Sequence, residues 1–446
     1  GWSATHRALV GTSVDNALGE RMGRLRLKSH EGGSVSHLSA RRRQVERLLR
    51  TEGLSGVSGR LRRRLANRLS PPGSEPLPVG DDEFSAEVRL SANGWKLPKP
   101  APWWPGEPLR VSWVCDPPAP GSGGHTTMFR LIRALENKGH SSTLYLVDRH
   151  GWDLEEHKAR IREGWPDVTA EVRTFDSGVR DCHALFATGW ASAWTCLRTE
   201  ALGLRCYLVQ DFEPLFHAAG SHSLLAEATY SFGYQGVTAG KWLPTLLASK
   251  YGMHAEGFEF GCDRRKYFLI NESQPRNEIC YYCRPSSPRR AHELAIAALR
   301  QFSKRNPGVQ INFYGERVAN VDFPVLQHGV LTPQGLNELY NSCAAGLALS
   351  ATNVSLVPHE MLASGCIPVV NDAEHNRLVL NNDQVRYAAA TPNHLASALE
   401  DIVKKAAAGA PAHVDAAKSV DGQDWESVGL DFVDIVEKLV RAASAQ

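Results

Sequence analysis

From Leu109 onward the chain alternates apolar, strand-like runs with helical segments, and it does so twice. L-R-V-S-W-V-C-D reads as a buried strand, P-P-A-P-G-S-G-G as a loop, and H-T-T-M-F-R-L-I-R-A-L-E-N-K-G as a helix closed by Gly139. S-T-L-Y-L-V, A-E-V-R-T-F, C-H-A-L-F-A-T, R-C-Y-L-V-Q and Y-Q-G-V-T-A continue the set. After a break near G-C-D-R-R-K-Y-F-L-I-N-E-S-Q-P-R-N the alternation restarts with E-I-C-Y-Y-C-R, V-Q-I-N-F-Y-G, C-A-A-G-L-A-L-S and C-I-P-V-V-N-D. Strands separated by helices pair in parallel through right-handed crossovers. The expectation is an α/β chain with two Rossmann-like, doubly wound parallel-sheet domains facing a cleft. Ligands of such sheets sit outside the carboxyl ends of the strands, so the cleft is the natural site.

At 446 residues the chain exceeds one core and suits two or three domains. The boundaries read as a basic extension and linker (1–95), a first sheet domain (96–270) and a second (271–423). An amphipathic terminal helix (424–446) packs back on the first, with Trp425, Phe432 and Val433 as packing residues. The net charge of +2 hides an asymmetry: residues 1–70 hold 15 Lys+Arg against 5 Asp+Glu. Leucines at 48, 49, 61, 65 and 69 allow an apolar stripe on cationic helices between Ser39 and Leu69. That arm reads either as a solvated tail or as a peripheral membrane anchor or partner-docking segment. Nucleic acid is not expected, because no aromatic residues interleave the arginines.

No apolar run approaches the length of about 20 residues that spans a bilayer. Nine cysteines include one C-x-x-C, Cys280 and Cys283, without the second pair a zinc site needs. They read as buried, reduced thiols of a cytoplasmic protein, with the inner face of the cell membrane as the place where the basic arm would act.

Four stretches carry chemistry. The first is the loop before the first helix, where Gly123 and Gly124 let a phosphate approach a helix N-terminus, although tight turns use glycine for local reasons too. Its spacing is not that of a dinucleotide fingerprint. The second is Arg284 at a strand end, followed by Arg289 and Arg290; guanidiniums so placed neutralise a diphosphate bidentately. The third is N-V-S-L-V-P-H-E-M-L-A-S-G, a short helix with Asn353, Ser355 and Pro358 as start signals and Gly365 as the stop. Backbone N–H groups of Ser355, Leu356 and Val357 would face phosphate oxygens, and Glu360 would accept hydrogen bonds from ribose hydroxyls. The fourth, Y-L-V-Q-D-F-E-P-L-F-H, clusters Gln210, Asp211, Glu213 and His217. D-x-E can hold a divalent metal, but substrate hydroxyls are the preferred reading, with no metal or other cofactor expected. Lys241, in T-A-G-K-W, reads either as a donor or acceptor contact or as a surface lysine.

These blocks resemble glycosyltransferase family 4, the retaining class with the GT-B fold. That family's second motif glutamate falls on Glu360, with Gly365 and Pro368 matching the positions that follow. Its first glutamate, which contacts donor-sugar hydroxyls, falls on Thr352; the residue departs from the pattern, and the resemblance implies Thr352 as a sugar contact in its place. More narrowly, Y-L-V-Q-D-F-E-P-L-F, T-A-G-K-W-L, C-R-P-S-S-P-R-R and S-L-V-P-H-E-M-L-A-S-G-C-I-P-V-V are similar to bacterial polysaccharide rhamnosyltransferases of the WsaF type. The resemblance implies dTDP-L-rhamnose as donor and a glycan, lipid-linked or free, as acceptor. It implies that Arg284, Arg289 and the amides after Asn353 hold the diphosphate, with Glu360 on the deoxyribose. The base would be read near Tyr314, Gly315 and Val330. A UDP-hexose donor, or a catalytically inactive glycan-binding module, are the alternatives.

Overall fold

The computed structural model describes residues 76–104, 106–119, 121–149, 153–409 and 411–445. The basic arm therefore lies outside the described residues. Seven parallel strands form the first sheet: β1 (Arg110–Cys115), β2 (Ser141–Leu146), β3 (Glu171–Thr174), β4 (Ala184–Ala187), β5 (Leu204–Val209), β6 (Gln235–Ala239) and β7 (Ala255–Phe258). Their order is β3-β2-β1-β4-β5-β6-β7. Six more form the second: β8 (Glu278–Cys283), β9 (Ile311–Gly315), β10 (Leu326–Gly329), β11 (Cys343–Leu347), β12 (Ile367–Asn371) and β13 (Arg386–Ala388), ordered β10-β9-β8-β11-β12-β13. Each sheet winds outward in two directions from its first strand, so the connection reverses beside β1 and β4 in one lobe and beside β8 and β11 in the other. The crevices opened by those reversals lie where the strands' carboxyl ends feed their loops.

β1 shows why these runs become central strands. Five of its six residues are buried, and Trp113 stacks on Phe186 of β4 with centroids 4.6 Å apart. The helix Gly123–Asn137, between β1 and β2, turns Met128, Phe129, Leu131, Ile132 and Leu135 onto the sheet. Gly139, at φ +91°, ends the turn in a conformation that a side chain would strain.

Residues 81–95, read from sequence as extension, belong instead to the first lobe. The helix Asp81–Ala92 packs Phe84 edge-on against Trp194, and Trp95 Nε1 donates to Phe232 O at 2.8 Å. Its acidic opening, Asp81–Glu83, resembled linker but complements the helix dipole.

The last helix, Trp425–Ser444, returns to the first sheet. Phe432 is fully buried against Trp113, Phe186 and Phe258, and Gly429 sits so close to Ala134 that an added Cβ would lie 2.7 Å from that residue's Cβ. The chain thus crosses between lobes twice. The crossings lie side by side, tied by Cys262 N donating to Gln423 O at 2.7 Å and by a bridge between Cys262 and Asp424. All nine cysteines are buried and unpaired. No helix among the described residues is long and apolar enough to cross a membrane.

Candidate active site

β5 ends at Val209, so Gln210, Asp211 and Glu213 fall at the carboxyl edge of the first sheet. Asp211 Oδ1 accepts from Phe212 N and from Asn353 N, both at 2.8 Å. Its Oδ2 accepts from Thr352 Oγ1 at 2.9 Å and lies 3.5 Å from Arg289 Nε. Burial pushes the Asp211 carboxyl up, while the Asn353 amide, the two guanidiniums and the Thr352 hydroxyl oppose that rise. Glu213 Oε2 accepts from Trp190 N at 2.6 Å, at the start of the helix Trp190–Cys196, and Oε1 accepts from Tyr207 Oη at 3.1 Å. Burial pushes Glu213 up to about 8 despite those donors.

This alters the reading of Asp211 and Glu213 as substrate-hydroxyl contacts. Both carboxylates are engaged by protein donors. Thr352 and Asn353 are each 1% exposed, so neither reaches a sugar in this arrangement. The Asn353 amide serves Asp211 rather than a phosphate. Its Nδ2 donates across the cleft to Gln210 O at 2.8 Å and Ala239 O at 3.0 Å. The sequence showed start-signal residues; it did not show that their acceptors come from the other lobe.

The remaining first-lobe candidates are more open. Gly123 and Gly124, read from sequence as loop, open the helix Gly123–Asn137 behind the N-cap Ser122; Gln210 Nε2 donates to Gly124 O at 3.1 Å, and Gly123 faces open space where a Cβ would meet nothing. His217 is half-buried with its ring edge-on to Trp190. Lys241 is largely exposed, and its Nζ pairs with Glu259 at 2.5 Å.

In the second lobe, Arg284 follows β8 directly. Its Nη1 donates to Tyr282 Oη at 3.1 Å, and its Nε lies 3.3 Å from Glu316. Arg289 and Arg290 occupy the 3-10 turn Pro288–Arg290, just ahead of the helix His292–Arg305. The Arg289 guanidinium lies 4.3 Å over the Phe216 ring of the first lobe, and Arg290 Nη1 donates to Ser350 Oγ at 2.9 Å. The three guanidiniums therefore gather at one edge, as the run of arginines suggested.

Tyr314 does not fit as a base-reading side chain. It is 3% exposed, its hydroxyl accepts from Tyr340 Oη at 2.9 Å, and its ring stacks on Tyr282. Gly315 is glycine for a local reason: φ is +103° and a Cβ would lie 2.5 Å from Cys283 O. Val330, just beyond β10, is 88% exposed.

The short helix runs Val357–Ala363, with Pro358 in its first turn and Gly365 at φ +76° after it. Among the described residues the amides of Ser355, Leu356 and Val357 donate to no protein acceptor, in contrast to Asn353. Glu360 is half-buried and its carboxylate accepts no hydrogen bond among the described residues. Burial pushes it up to about 7; Arg130 and Lys266 draw it down and Asp263 raises it. Arg130, on the helix Gly123–Asn137, lies 4.0 Å from Asp263 and 4.4 Å over the Trp425 ring. Sequence reading missed Arg130, Asp263 and Lys266. The D-R-R-K-Y run had registered only as a domain break, and nothing local marks Arg130.

With this geometry in hand, similarity to known proteins becomes interpretable. Residues 277–400 match the family described as WsaF, C-terminal domain. The second lobe is WsaF-like. O-antigen biosynthesis protein RfbC of Myxococcus xanthus is 30% identical over 321 residues, which is 68% of this chain and 25% of RfbC. The chain thus spans about a quarter of that relative's length. Anabaena HepE, solved with UDP and glucose, superposes with a TM-score of 0.55 at 13% identity, covering 74% of this chain and all of HepE. Staphylococcus aureus TarM, solved as a variant with UDP and two glycan ligands, gives 0.59 at 8% identity, covering 74% and 99%. The two lobes, one of them WsaF-like, make the GT-B fold.

Proposed function

We propose that this chain is a glycosyltransferase that moves L-rhamnose from dTDP-L-rhamnose to a hydroxyl of a growing cell-surface glycan, with retention of configuration. The observation that carries the reading is Glu360, a half-buried carboxylate with no hydrogen-bond donor among the described residues, in the WsaF-like lobe that also bears Arg284 and Arg289. An acceptor-only group without protein donors suits the hydroxyl of a nucleoside. The 30% identity to an O-antigen biosynthesis protein supports a polysaccharide substrate.

As the donor's glycosidic bond breaks, negative charge grows on the leaving diphosphate. Arg284 and Arg289, assisted by the amides of Ser355 to Val357, stabilise that charge without rearranging. In a front-face transfer the departing phosphate oxygen accepts the proton of the incoming hydroxyl, so no side-chain base is required. Asp211 and Glu213, held by protein donors, are accordingly left out of the proton transfer.

A second reading is favoured by HepE and TarM, both solved with UDP: the donor is a UDP-hexose on the same fold. Calorimetry with dTDP-L-rhamnose, dTDP and UDP-glucose decides between the two. Tighter binding of the dTDP compounds is expected; preference for UDP-glucose selects the second reading. Binding of none of them, with no transfer or donor hydrolysis, points to an inactive glycan-binding module. The anomeric configuration of a transferred sugar, read by NMR, tests retention.

A further inference from the structure

The contacts between Asp211 and the second lobe form a closed set. Asp211 leaves the end of β5 in one lobe and binds a loop that leaves the end of β11 in the other. That loop, Ser350–Asn353, is held from three directions. Arg290 Nη1 donates to Ser350 Oγ at 2.9 Å, Ala351 N donates to Arg289 O at 2.8 Å, and Asp211 takes the Thr352 hydroxyl and the Asn353 amide. Asp211 also lies 3.5 Å from Arg289 Nε, and the Arg289 guanidinium stacks over Phe216, five residues beyond Asp211. The carboxylate thus touches both arms of the region assigned to the diphosphate: the arginine turn and the segment leading to the amides of Ser355 to Val357.

We propose that Asp211 is a positioning residue, a first-lobe carboxylate that sets the arginine turn and the Ser350–Asn353 loop of the second lobe in the arrangement that receives a nucleoside diphosphate. It acts through Arg289, Thr352 and Asn353 and does not itself touch the donor. A structural carboxylate would have been satisfied by its own lobe; here only the Phe212 amide is local, and every other partner crosses the cleft. The charged groups facing it are Arg289 and Arg290 from the second lobe and Glu213 from its own loop. Removing the carboxylate leaves the Thr352 hydroxyl and the Asn353 amide without their acceptor and the Arg289 guanidinium without its counter-charge, and frees the lobes to part.

This inference rests on the donor site proposed above, so its test separates the two. Wild type, Asp211→Asn, Thr352→Val and Thr352→Ser are compared by calorimetry with dTDP and UDP and by small-angle scattering with and without nucleotide. Asp211→Asn is expected to weaken binding of the preferred nucleotide about tenfold, the scale of one lost charged hydrogen bond. It should also enlarge the nucleotide-free radius of gyration, and saturating nucleotide should restore it. Thr352→Val follows in the same direction with a smaller loss, and Thr352→Ser, which keeps the hydroxyl, matches wild type. If Asp211→Asn fails to fold, the Thr352 pair carries the test. Unchanged affinity and scattering in both Asp211→Asn and Thr352→Val overturn the proposal. A fall in kcat at unchanged nucleotide affinity also overturns it, because Asp211 would then contact the reacting groups. Should wild type bind neither nucleotide, the donor site is refuted, while the scattering comparison still reports whether Asp211 holds the lobes together.

Discussion

The two sheets share one strand order but treat their polar groups differently at the cleft. At the first lobe's edge, Asp211 and Glu213 are saturated by protein donors, and its core is completed by a helix from the far end of the chain. At the second lobe's edge, Glu360 and the amides of Ser355 to Val357 make no hydrogen bond to protein among the described residues. Two glutamates, one buried and one half-buried, make the contrast sharp. Burial pushes Glu213 up to about 8 and Glu360 up to about 7, yet one is anchored at a helix start and the other is unanchored. A raised carboxyl by itself does not distinguish a fastening from a site; the presence or absence of donors does.

Three measurements can break or sharpen that contrast. The largest effect is expected at Phe432, the fully buried ring of the returning helix. Phe432→Ala should cost about 3–5 kcal/mol in denaturant unfolding, as for other buried aromatics. If the loss is under about 1 kcal/mol, the first lobe does not depend on its borrowed helix.

Next comes Glu360. Replacing it with alanine should weaken nucleotide binding by about 10- to 100-fold, the loss of a charged hydrogen bond, with little change in stability. Glu213→Ala should do the reverse, lowering stability while leaving the intrinsic nucleotide affinity of the folded fraction near that of wild type. Equal effects of the two on affinity would erase the distinction drawn above.

The smallest effect is a slope with pH. An unfolded glutamate titrates near 4.5, whereas Glu213 in the fold is raised to about 8. Between those values the native state holds more protons than the unfolded state, so this group's contribution to stability falls as pH rises through that window. Urea unfolding of wild type and Glu213→Gln at pH 5.5 and 7.5 checks the sign: the variant should lose less stability on going to the higher pH. Glu360→Gln should flatten the curve over a narrower range, ending near 7, and unlike Glu213→Gln should also alter the pH dependence of nucleotide binding.

Much of this fold is legible in the sequence. Ten of the thirteen strands among the described residues are legible as strand-like runs between helices, and their order in the chain carries the doubly wound fold. The three unread strands, β7, β10 and β13, are three or four residues long and all lie at sheet edges. An edge strand has one pairing neighbour, so it needs less apolar sequence and leaves a weaker trace. The candidate site was legible as residue types at strand ends, which is why the arginines and Glu360 stood out. Their partners were not. Asp211 and Asn353 are 142 residues apart, and no local pattern says that one donates to the other. Asp211 reads as available for substrate because all its donors but the neighbouring Phe212 amide belong to a different domain of the sequence.

The paired crossings at Cys262 and Gln423 carry a mechanical consequence. Two passages of chain held together at one place behave as a single pivot, with little freedom for the lobes to slide or twist independently. The seam at Asp211 and the pivot then divide the labour of a door, one fixing where it latches and the other the axis on which it swings. Cutting the backbone at either passage alone would leave the second as a tether, so a nicked chain should keep its lobes together in register.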